Sequence, residues 1–383
     1  MKKLLFAAIV ILMFLVVATA WSGGETKFYN AITDIPGIEV GHYTDKKALT
    51  GTTVILARGG AVGGVDVRGS APGTRETDLL NPINLVDRVN AVVLSGGSAY
   101  GLAAADGVMT CLEDQGIGWP VGGDQVVPIV PSAILFDPGR CGTDFRVRPT
   151  AEFGLKACQA ADSGPVAQGN VGAGMGARAG GLKGGIGTAS TDIGDGVIVG
   201  AIVAVNAVGS TVNPDTGDFY AAFLEVDDEF DKLKDPHWSA LKKSDFLLAK
   251  VDQSPGKNTT IAVVATNVEL TKAQAQKIAQ MAHDGMARAI RPSHTMFDGD
   301  TIFALGTGEL SFDTLPGWGY APSSVNRIGS AAADALSRAI VHAMLSAESV
   351  DDCMLSYCDA YPEACQDNDD DHKRKKPKHK KKP

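Results

Sequence analysis

The interior of the chain lacks several features that would fix its class at once. No stretch rich in proline or serine divides the 383 residues into separate domains. No internal repeat period occurs, which excludes repeat architectures. The glycine-rich turn at residues 95–98 follows an apolar run but lacks the Lys-Ser/Thr ending of a phosphate-binding P-loop. Nucleotide binding through that turn is therefore excluded.

The six cysteines lack a metal-binding pattern. Three are clustered near the C-terminus, without the close pairs and the fourth ligand that a structural zinc site requires: Cys353, Cys358 and Cys365. The other three are scattered: Cys111, Cys141 and Cys158. We expect no metal and no cofactor, and either buried free thiols or one or two disulfides.

The N-terminus has the composition of a targeting segment. Lys2 and Lys3 precede an apolar stretch over residues 4–17 and the small-residue sequence Ala18-Thr19-Ala20. This order is typical of a secretory signal peptide, here residues 1–20. An uncleaved anchor is the alternative, because the apolar stretch is long for a signal peptide. We expect an exported protein, periplasmic or secreted, in which disulfides can form.

The C-terminus is strongly charged. Residues 372–383 carry eight Lys and Arg, although the whole chain has a formal net charge of −9. A block of like charge is typical of a solvated, disordered end, and we assign residues 351–383 to such a Cys-containing tail, first acidic and then basic. The alternative is contact with an anionic surface such as a membrane or cell-wall polymer. The acidic body and the export signal argue against nucleic-acid binding.

Between these ends, apolar strands alternate with long helices. The patterns predict strands over residues 52–57, 91–94, 197–205, 261–265 and 302–305. They predict helices over residues 99–114, 271–291 and about 323–346. Thr271 and Gln274 form a capping box at the start of the second helix. Alternating strands and helices indicate an α/β layered fold.

A hydroxyl residue stands at one junction of loop and strand. Asn258-Thr259-Thr260 leads directly into the apolar strand at 261–265. Locally this is a turn before a strand, or an Asn-x-Thr glycosylation acceptor. If the peptide bond before Thr259 were cut, however, the residue would carry an α-amine with a pKa near ~8 beside its hydroxyl. That pair is a nucleophile and its base.

Other polar residues occupy similar junctions. Asn206 ends the strand at 197–205, either as a turn residue or as an amide donor to an oxyanion. Asp298 and Asp300 flank Gly299 before the strand at 302–305, either as a turn or as a functional pair. Residues 65–78 form a dense charged loop, either a salt-bridged surface or the wall of a pocket.

Longer motifs give a specific resemblance. VRGSAPGTRETD at residues 67–78 and LSGGSAYGL at residues 94–102 closely resemble motifs of the L-aminopeptidase/D-esterase family of N-terminal-nucleophile hydrolases, which includes the β-peptidyl aminopeptidases. Residues 35–42, 169–177 and 260–266 extend the likeness, which covers about residues 32–343 in the order of the family.

The resemblance implies a four-layer α/β/β/α sandwich that cuts itself into two subunits. The implied cleavage lies between Asn258 and Thr259, giving an α subunit of residues 21–258 and a β subunit of residues 259–350 within one domain. Thr259 would be the N-terminal nucleophile, where many members have serine. The family further implies a homo-oligomer of processed αβ units.

The resemblance also implies roles for the other junction residues. Asn206 matches the oxyanion-hole position, Asp300 would hold the Thr259 ammonium or the substrate's amino group, and Asp298 would assist proton transfer. The expected function is an exported serine/threonine-type aminopeptidase or amidase acting on short peptides, amino-acid amides or esters. The alternatives are an acyltransferase on a related fold and a non-enzymatic exported binding protein.

Overall fold

The computed structural model describes residues 28–231, 233 and 258–365. The predicted signal peptide, the residues just before Asn258 and the basic end of the chain lie outside the described residues. Within the described part of the chain, no helix is both long and apolar enough to cross a membrane.

The chain forms a large mixed sheet with helices. Its strands are β1 (Glu39–Asp45), β2 (Thr50–Val67), β3 (Thr74–Arg75), β4 (Arg88–Ser95), β5 (Trp119–Gly122), β6 (Gln125–Val127), β7 (Ser132–Ile134), β8 (Arg178–Ala179), β9 (Leu182–Lys183), β10 (Ile186–Asp192), β11 (Ile198–Ala204), β12 (Ile261–Val268) and β13 (Thr301–Leu310). The α-helices are α1 (Ala104–Glu113), α2 (Ala151–Gln159), α3 (Lys272–Ala289), α4 (Ala321–Leu345) and α5 (Tyr357–Ala360).

The predicted elements are present with shifted ends. The helix predicted from residue 99 begins as a 3₁₀ turn, Ser98–Ala103, and becomes α-helical only at Ala104. The capping box of α3 is confirmed, since the Thr271 hydroxyl accepts the Gln274 N–H and the Thr271 N–H donates to the Gln274 side chain. The helix ends at Ala289, before Pro292, because the residue preceding a proline disfavours helical geometry.

One long strand connects the two halves of the sheet. The first half of β2, residues 50–56, pairs with β1 and β4, and its second half, residues 62–67, pairs with β13. The pairing with β4 shifts register between Leu56 and Ala61. The strand order is β10-β11-β12-β13-β2-β4-β7-β3, with β1 added at β2.

The two faces of these strands bury different side chains, because successive residues of a strand point to opposite faces. In β12, Ile261 and Val263 belong to a core cluster that also contains Ile55 of β2 and Leu94 of β4. This cluster lies between the two halves of the sheet.

The opposite faces carry the helices. Val264 of β12 belongs to a cluster with Ile278 of α3 and Leu336 of α4. On the other side, Leu56 of β2 shares a cluster with Val108 of α1. The order of layers is therefore helix, sheet, sheet, helix, and the predicted α/β/β/α sandwich is confirmed.

The prediction of free thiols or of one or two disulfides is wrong, because the structure has three disulfides. All six cysteines are paired, as Cys111–Cys158, Cys141–Cys353 and Cys358–Cys365. Cys141 and Cys353 have Cα atoms 5.6 Å apart although 212 positions separate them in the chain. Such a pairing depends on the tertiary fold, and the spacing of cysteines in the sequence does not reveal it.

The assignment of residues 351–383 to a disordered tail also needs correction, because residues 351–365 are folded. They include α5, whose Tyr357 is fully buried and donates its hydroxyl to the Gly217 carbonyl at 2.9 Å. The aromatic rings of Phe219 and Tyr361 pack against Tyr357 at 4.2 and 5.3 Å. Burial of this aromatic area stabilises the fold of the segment.

The lack of a side chain at Gly107 allows the outer helices α1 and α2 to pack closely. A Cβ atom at Gly107 would stand 1.7 Å from the Ala151 carbonyl oxygen. Gly107→Ala should therefore lower the free energy of unfolding by about 1–3 kcal/mol through overpacking, measured by guanidinium denaturation. Gly59→Ala is the control, since a Cβ there meets no atom within 4 Å. Equal unfolding midpoints for the two variants would contradict this packing.

Candidate active site

Thr259 lies immediately before β12 and is only 4% exposed. Its backbone N–H donates to the Asn206 carbonyl at 2.5 Å. Its hydroxyl donates to the carbonyl oxygen of Asn258 and accepts the Gly299 N–H at 3.2 Å. The hydroxyl is thus held beside the carbonyl group of the preceding residue.

Strand pairing brings the other junction residues to this point. Strand β12 lies between antiparallel β11 and parallel β13, and Ile261 is paired with both Ala204 and Thr301. The end of β11 and the beginning of β13 therefore meet at the beginning of β12. Asn206 follows β11 by two residues and Asp300 directly precedes β13, so both lie beside Thr259.

The fully buried Asn206 side chain has a fixed orientation. Its Oδ1 accepts from the Arg178 backbone N–H at 3.0 Å and from Arg140 Nη2 at 3.3 Å. Because both donors approach the same side of the amide, that side carries the oxygen and the other side carries the NH₂ group. That group makes only a long contact, 3.4 Å, with the Phe136 carbonyl. Its capacity to donate to a developing oxyanion is therefore largely unused.

Asp298 is held by backbone and hydroxyl donors. Its Oδ1 accepts the Val208 N–H at 3.1 Å, and its Oδ2 accepts the N–H and the hydroxyl of Thr295 at 3.1 and 2.5 Å. Burial raises the pKa of Asp298, and the neighbouring Asp300 carboxylate raises it further, against the opposing effect of these hydrogen bonds. The surroundings of Asp298 therefore favour its protonated form.

Asp300 is held on both of its oxygens. Its Oδ1 accepts the Thr260 N–H at 2.8 Å, one residue from the hydroxyl of Thr259. Its Oδ2 accepts the His294 N–H at 3.0 Å and lies 2.8 Å from Nδ1 of the same residue. Gly299, between the two acids, supplies the contact with the Thr259 hydroxyl.

The charged loop at residues 65–78 packs against this acidic pair, and its Arg68 and Arg75 also form ion pairs with Asp66 and Asp106. The N–H groups of Arg68 and Gly69 donate to the Asp300 carbonyl at 3.0 and 3.2 Å, and that of Ala71 donates to the Asp298 carbonyl at 2.9 Å. A Cβ atom at Gly69 would stand 2.2 Å from the Asp300 nitrogen. Only glycine allows this close approach of two backbones.

Three further groups, one half-buried and two buried, were missed at the level of sequence. His294 contacts Asp300 as above, and its ring packs on His283 at 4.8 Å. Lys183 is fully buried and donates to the carbonyls of Gly174 and Gly184 at 2.8 and 2.5 Å. Asp137 is fully buried and accepts the Gly97 N–H at 2.7 Å. The one available signal was a lone lysine within a glycine-rich stretch.

Burial shifts the titration of two of these groups. It lowers the pKa of Lys183 to about 7, with the Arg140 charge acting in the same direction. It raises the pKa of Asp137 to about 6. Groups that titrate near neutrality within a cluster of polar side chains are typical of functional sites.

A pocket of about 490 Å³ adjoins Asn206. Its lining shares Phe136, Arg140 and Arg178 with the hydrogen-bond environment of Asn206. Its other walls come from Pro138, Gly139, Phe145, Met354 and the Cys141–Cys353 disulfide. The pocket and the Asn206 side chain therefore share three neighbouring residues.

Taken together, the four predicted catalytic residues lie at one end of β12. The structure brings Thr259, Asn206, Asp298 and Asp300 into a single buried arrangement, with the Asn258 carbonyl beside the Thr259 hydroxyl. Asn258 is itself buried, which argues against the glycosylation interpretation because acceptor asparagines lie on the surface. Chemically, the arrangement combines a hydroxyl, a carbonyl it can attack, an amide donor and two carboxylates.

Comparisons with known proteins show the family of the chain. The profile of peptidase family S58 matches residues 30–354. An uncharacterized aminopeptidase of Mycobacterium leprae is 49% identical over 354 residues, covering 88% of this chain and 95% of the relative. A 6-aminohexanoate-oligomer endohydrolase of a Kocuria species is 32% identical over 318 residues, covering 81% and 84%.

Solved structures show the same fold. A β-aminopeptidase of a Burkholderia species aligns with a TM-score of 0.60 and 23% identity, over 88% of this chain and 94% of the other. The L-aminopeptidase D-Ala-esterase/amidase of Ochrobactrum anthropi, described as a variant of the Ntn hydrolase fold, aligns with a TM-score of 0.59 and 23% identity, over 84% and 87%.

The buried amine of Lys183 gives a prediction on stability. Because its pKa is lowered from 10.5 to about 7, the unfolded chain binds a proton that the folded chain does not bind between these values. The free energy of unfolding should therefore rise with pH from 7 to 9, and Lys183→Met should reduce this rise. Urea denaturation at several pH values measures it.

The exposed Lys277 of α3 offers the matched control for that measurement. Lys277→Met should keep the pH dependence of the unmodified protein. A Lys183→Met variant with an unchanged slope of stability against pH would refute the assignment of a neutral buried amine.

Proposed function

Because this chain belongs to peptidase family S58, we propose that it is a self-cleaving aminopeptidase or amidase with Thr259 as its N-terminal nucleophile. It would release N-terminal residues from short peptides, amino-acid amides or esters. The observation that carries the proposal is the contact of the Thr259 hydroxyl with the Asn258 carbonyl group in the uncut chain. The aminopeptidase name of the Mycobacterium leprae relative supports the reaction class.

Processing would begin with attack of the Thr259 oxygen on the carbonyl carbon of Asn258. A carbon–oxygen bond forms, the carbon–nitrogen bond of the peptide breaks, and the hydroxyl proton passes to the departing nitrogen. The product is an ester between Asn258 and the Thr259 side chain. Water then hydrolyses this ester, which leaves Asn258 as a carboxylate and Thr259 with a free α-amine.

Turnover would use the amine that processing releases. The α-amine of Thr259 accepts the hydroxyl proton, directly or through water, and the oxygen attacks the scissile carbonyl of the substrate. The Asn206 NH₂ group donates to the oxyanion, and the Gly299 N–H keeps the nucleophile in position. The amine product leaves with a proton, and water hydrolyses the acyl-enzyme.

Asp300 and Asp298 would bind an amino group and assist proton transfer, respectively. Asp300 already accepts the N–H next to Thr259, which supports a role in holding the new ammonium or the amino group of the substrate. Asp298, whose raised pKa favours protonation, suits a step in which a proton is passed on. Hydrogen bonds from Thr295 and His294 hold the two carboxyl groups in place.

The substrate range would extend to amides other than α-peptides. Relatives about 32% identical carry the name 6-aminohexanoate-oligomer endohydrolase. In such an oligomer several methylene groups separate the amine from the next amide. A pocket bounded by Phe136, Phe145 and Met354 would suit apolar groups of this kind.

We further propose an exported protein that assembles as a homo-oligomer of processed αβ units. The three disulfides support export, because disulfides persist in oxidising compartments. The basic residues 372–383 would attach the protein to an anionic surface.

The nucleophile is tested by three substitutions. Thr259→Ala should leave a single full-length, inactive chain, whereas Thr259→Ser should still split, because it keeps the hydroxyl. Thr260→Val is the matched control, since the N–H that Thr260 gives to Asp300 survives the change. A denaturing reducing gel with N-terminal sequencing reads the result: the smaller fragment should begin at residue 259. Cleavage of the Thr259→Ala chain at this bond would exclude the mechanism.

The oxyanion donor is tested at Asn206. Asn206→Asp keeps the oxygen that accepts from Arg178 and Arg140 but removes the NH₂ donor, and kcat on an aminoacyl-p-nitroanilide should fall about 100- to 1,000-fold. Asn267→Asp is a matched control, because Asn267 is a buried amide at the far end of β12 that bonds Ile198 and Gly196. If both variants lose activity equally, Asn206 has only a structural role.

A further inference from the structure

The segment after α4 folds back over the body of the protein. The Leu355 carbonyl accepts the backbone N–H of Lys183 at 2.7 Å. Asn170 exchanges side-chain hydrogen bonds with the backbone of Glu348, at 2.8 and 3.2 Å. These contacts join residues on the C-terminal side of Thr259 to residues on its N-terminal side.

One disulfide crosses the proposed cleavage position. Cys111–Cys158 lies wholly before residue 259, and Cys358–Cys365 lies wholly after it. Cys141–Cys353 has one partner on each side. Because these three bonds use all six cysteines of the chain, cleavage at Thr259 would leave Cys141–Cys353 as the single disulfide between the two products.

The same disulfide lies in the wall of the pocket. Cys353 and the neighbouring Met354 line it together with Phe136 and Phe145. Met354 is 1% exposed and packs with Leu49 and Met175, so its position is fixed. Cys141 follows Arg140, which donates to the Asn206 side chain at 3.3 Å. The bond thus fastens the C-terminal segment beside the group that would hold the oxyanion.

We infer that Cys353 and Met354 form a specificity wall of the substrate pocket, and that the Cys141–Cys353 disulfide fastens this wall across the self-cleaved chain. Met354 limits the size of the apolar side chain that the pocket accepts. The claim that the disulfide joins two cleaved chains, the covalent part of the inference, rests on the proposed self-cleavage. A reducing agent would then separate the two chains of the processed protein, and the native enzyme would behave as one covalent unit.

The covalent part is tested on denaturing gels of the full, processed protein. Without reductant the protein should run as one full-length species, and with tris(carboxyethyl)phosphine it should run as two fragments. Cys353→Ser should give two fragments without reductant. The Cys358→Ser, Cys365→Ser double variant is the control, and it should remain one species until it is reduced.

The outcomes separate the two proposals. A single full-length chain under reducing conditions would mean that self-cleavage does not occur, and the proposed function would fail. Two fragments without reductant in the unmodified protein would mean that cleavage occurs but no bond joins the products, and this inference alone would fail.

The specificity part is tested with Met354→Ala, which leaves every cysteine in place. The ratio of kcat/KM for leucine p-nitroanilide to that for alanine p-nitroanilide should rise at least about tenfold, the lower end of the scale for one methylene group in an apolar pocket. Met344→Ala is the matched control, because Met344 is a fully buried methionine of α4 in a different core cluster. An unchanged ratio in Met354→Ala, or an equal rise in both variants, would overturn the role of the wall.

Discussion

The pairing of β12 with β11 on one side and β13 on the other is the constraint on which the site depends. Parallel pairing with β13 and antiparallel pairing with β11 place a strand start and a strand end at the same point. Thr259, Asn206 and Asp300 are thereby brought together from three distant parts of the chain. The ladder behind Thr259 is buried on both faces, so that the position of its hydroxyl is set by the whole sandwich.

Burial then dictates how the polar groups are satisfied. A carboxylate or amide taken from water into a core costs free energy unless it finds partners. Asp298, Asp300 and Asn206 each find theirs in neighbouring backbone N–H groups and in one or two side chains. With these partners in place, the Asn206 NH₂ group keeps only a long contact with Phe136 among the described residues, and the Thr259 hydroxyl lies beside the Asn258 carbonyl group. The same burial displaces the pKa of Asp298 and of Lys183 in opposite directions, since in each case the charged form is disfavoured.

The C-terminal segment adds a second level of organisation. After α4, residues 351–365 include the short helix α5 and the Cys358–Cys365 disulfide. Two residues of this segment, Cys353 and Met354, line the pocket. The same segment also joins the core, since Tyr357, Tyr361 and Cys365 belong to the cluster that contains Ile278 of α3 and Leu336 of α4.

The sequence by itself determined the elements and the candidate residues, because both leave local patterns. Continuous apolar runs indicated β4, β11 and β12, a capping box indicated the start of α3, and motifs resembling a known family pointed to Thr259, Asn206, Asp298 and Asp300. Only the tertiary structure decided the Cys141–Cys353 bond, the burial of Lys183 and the contact of His294 with Asp300. The disulfide and the burial of Lys183 arise from packing of segments that are distant in the chain, and the loop at residues 294–300 brings His294 onto Asp300. No local pattern records such contacts, and so the disulfide count and the assignment of residues 351–365 to a disordered tail were predicted wrongly.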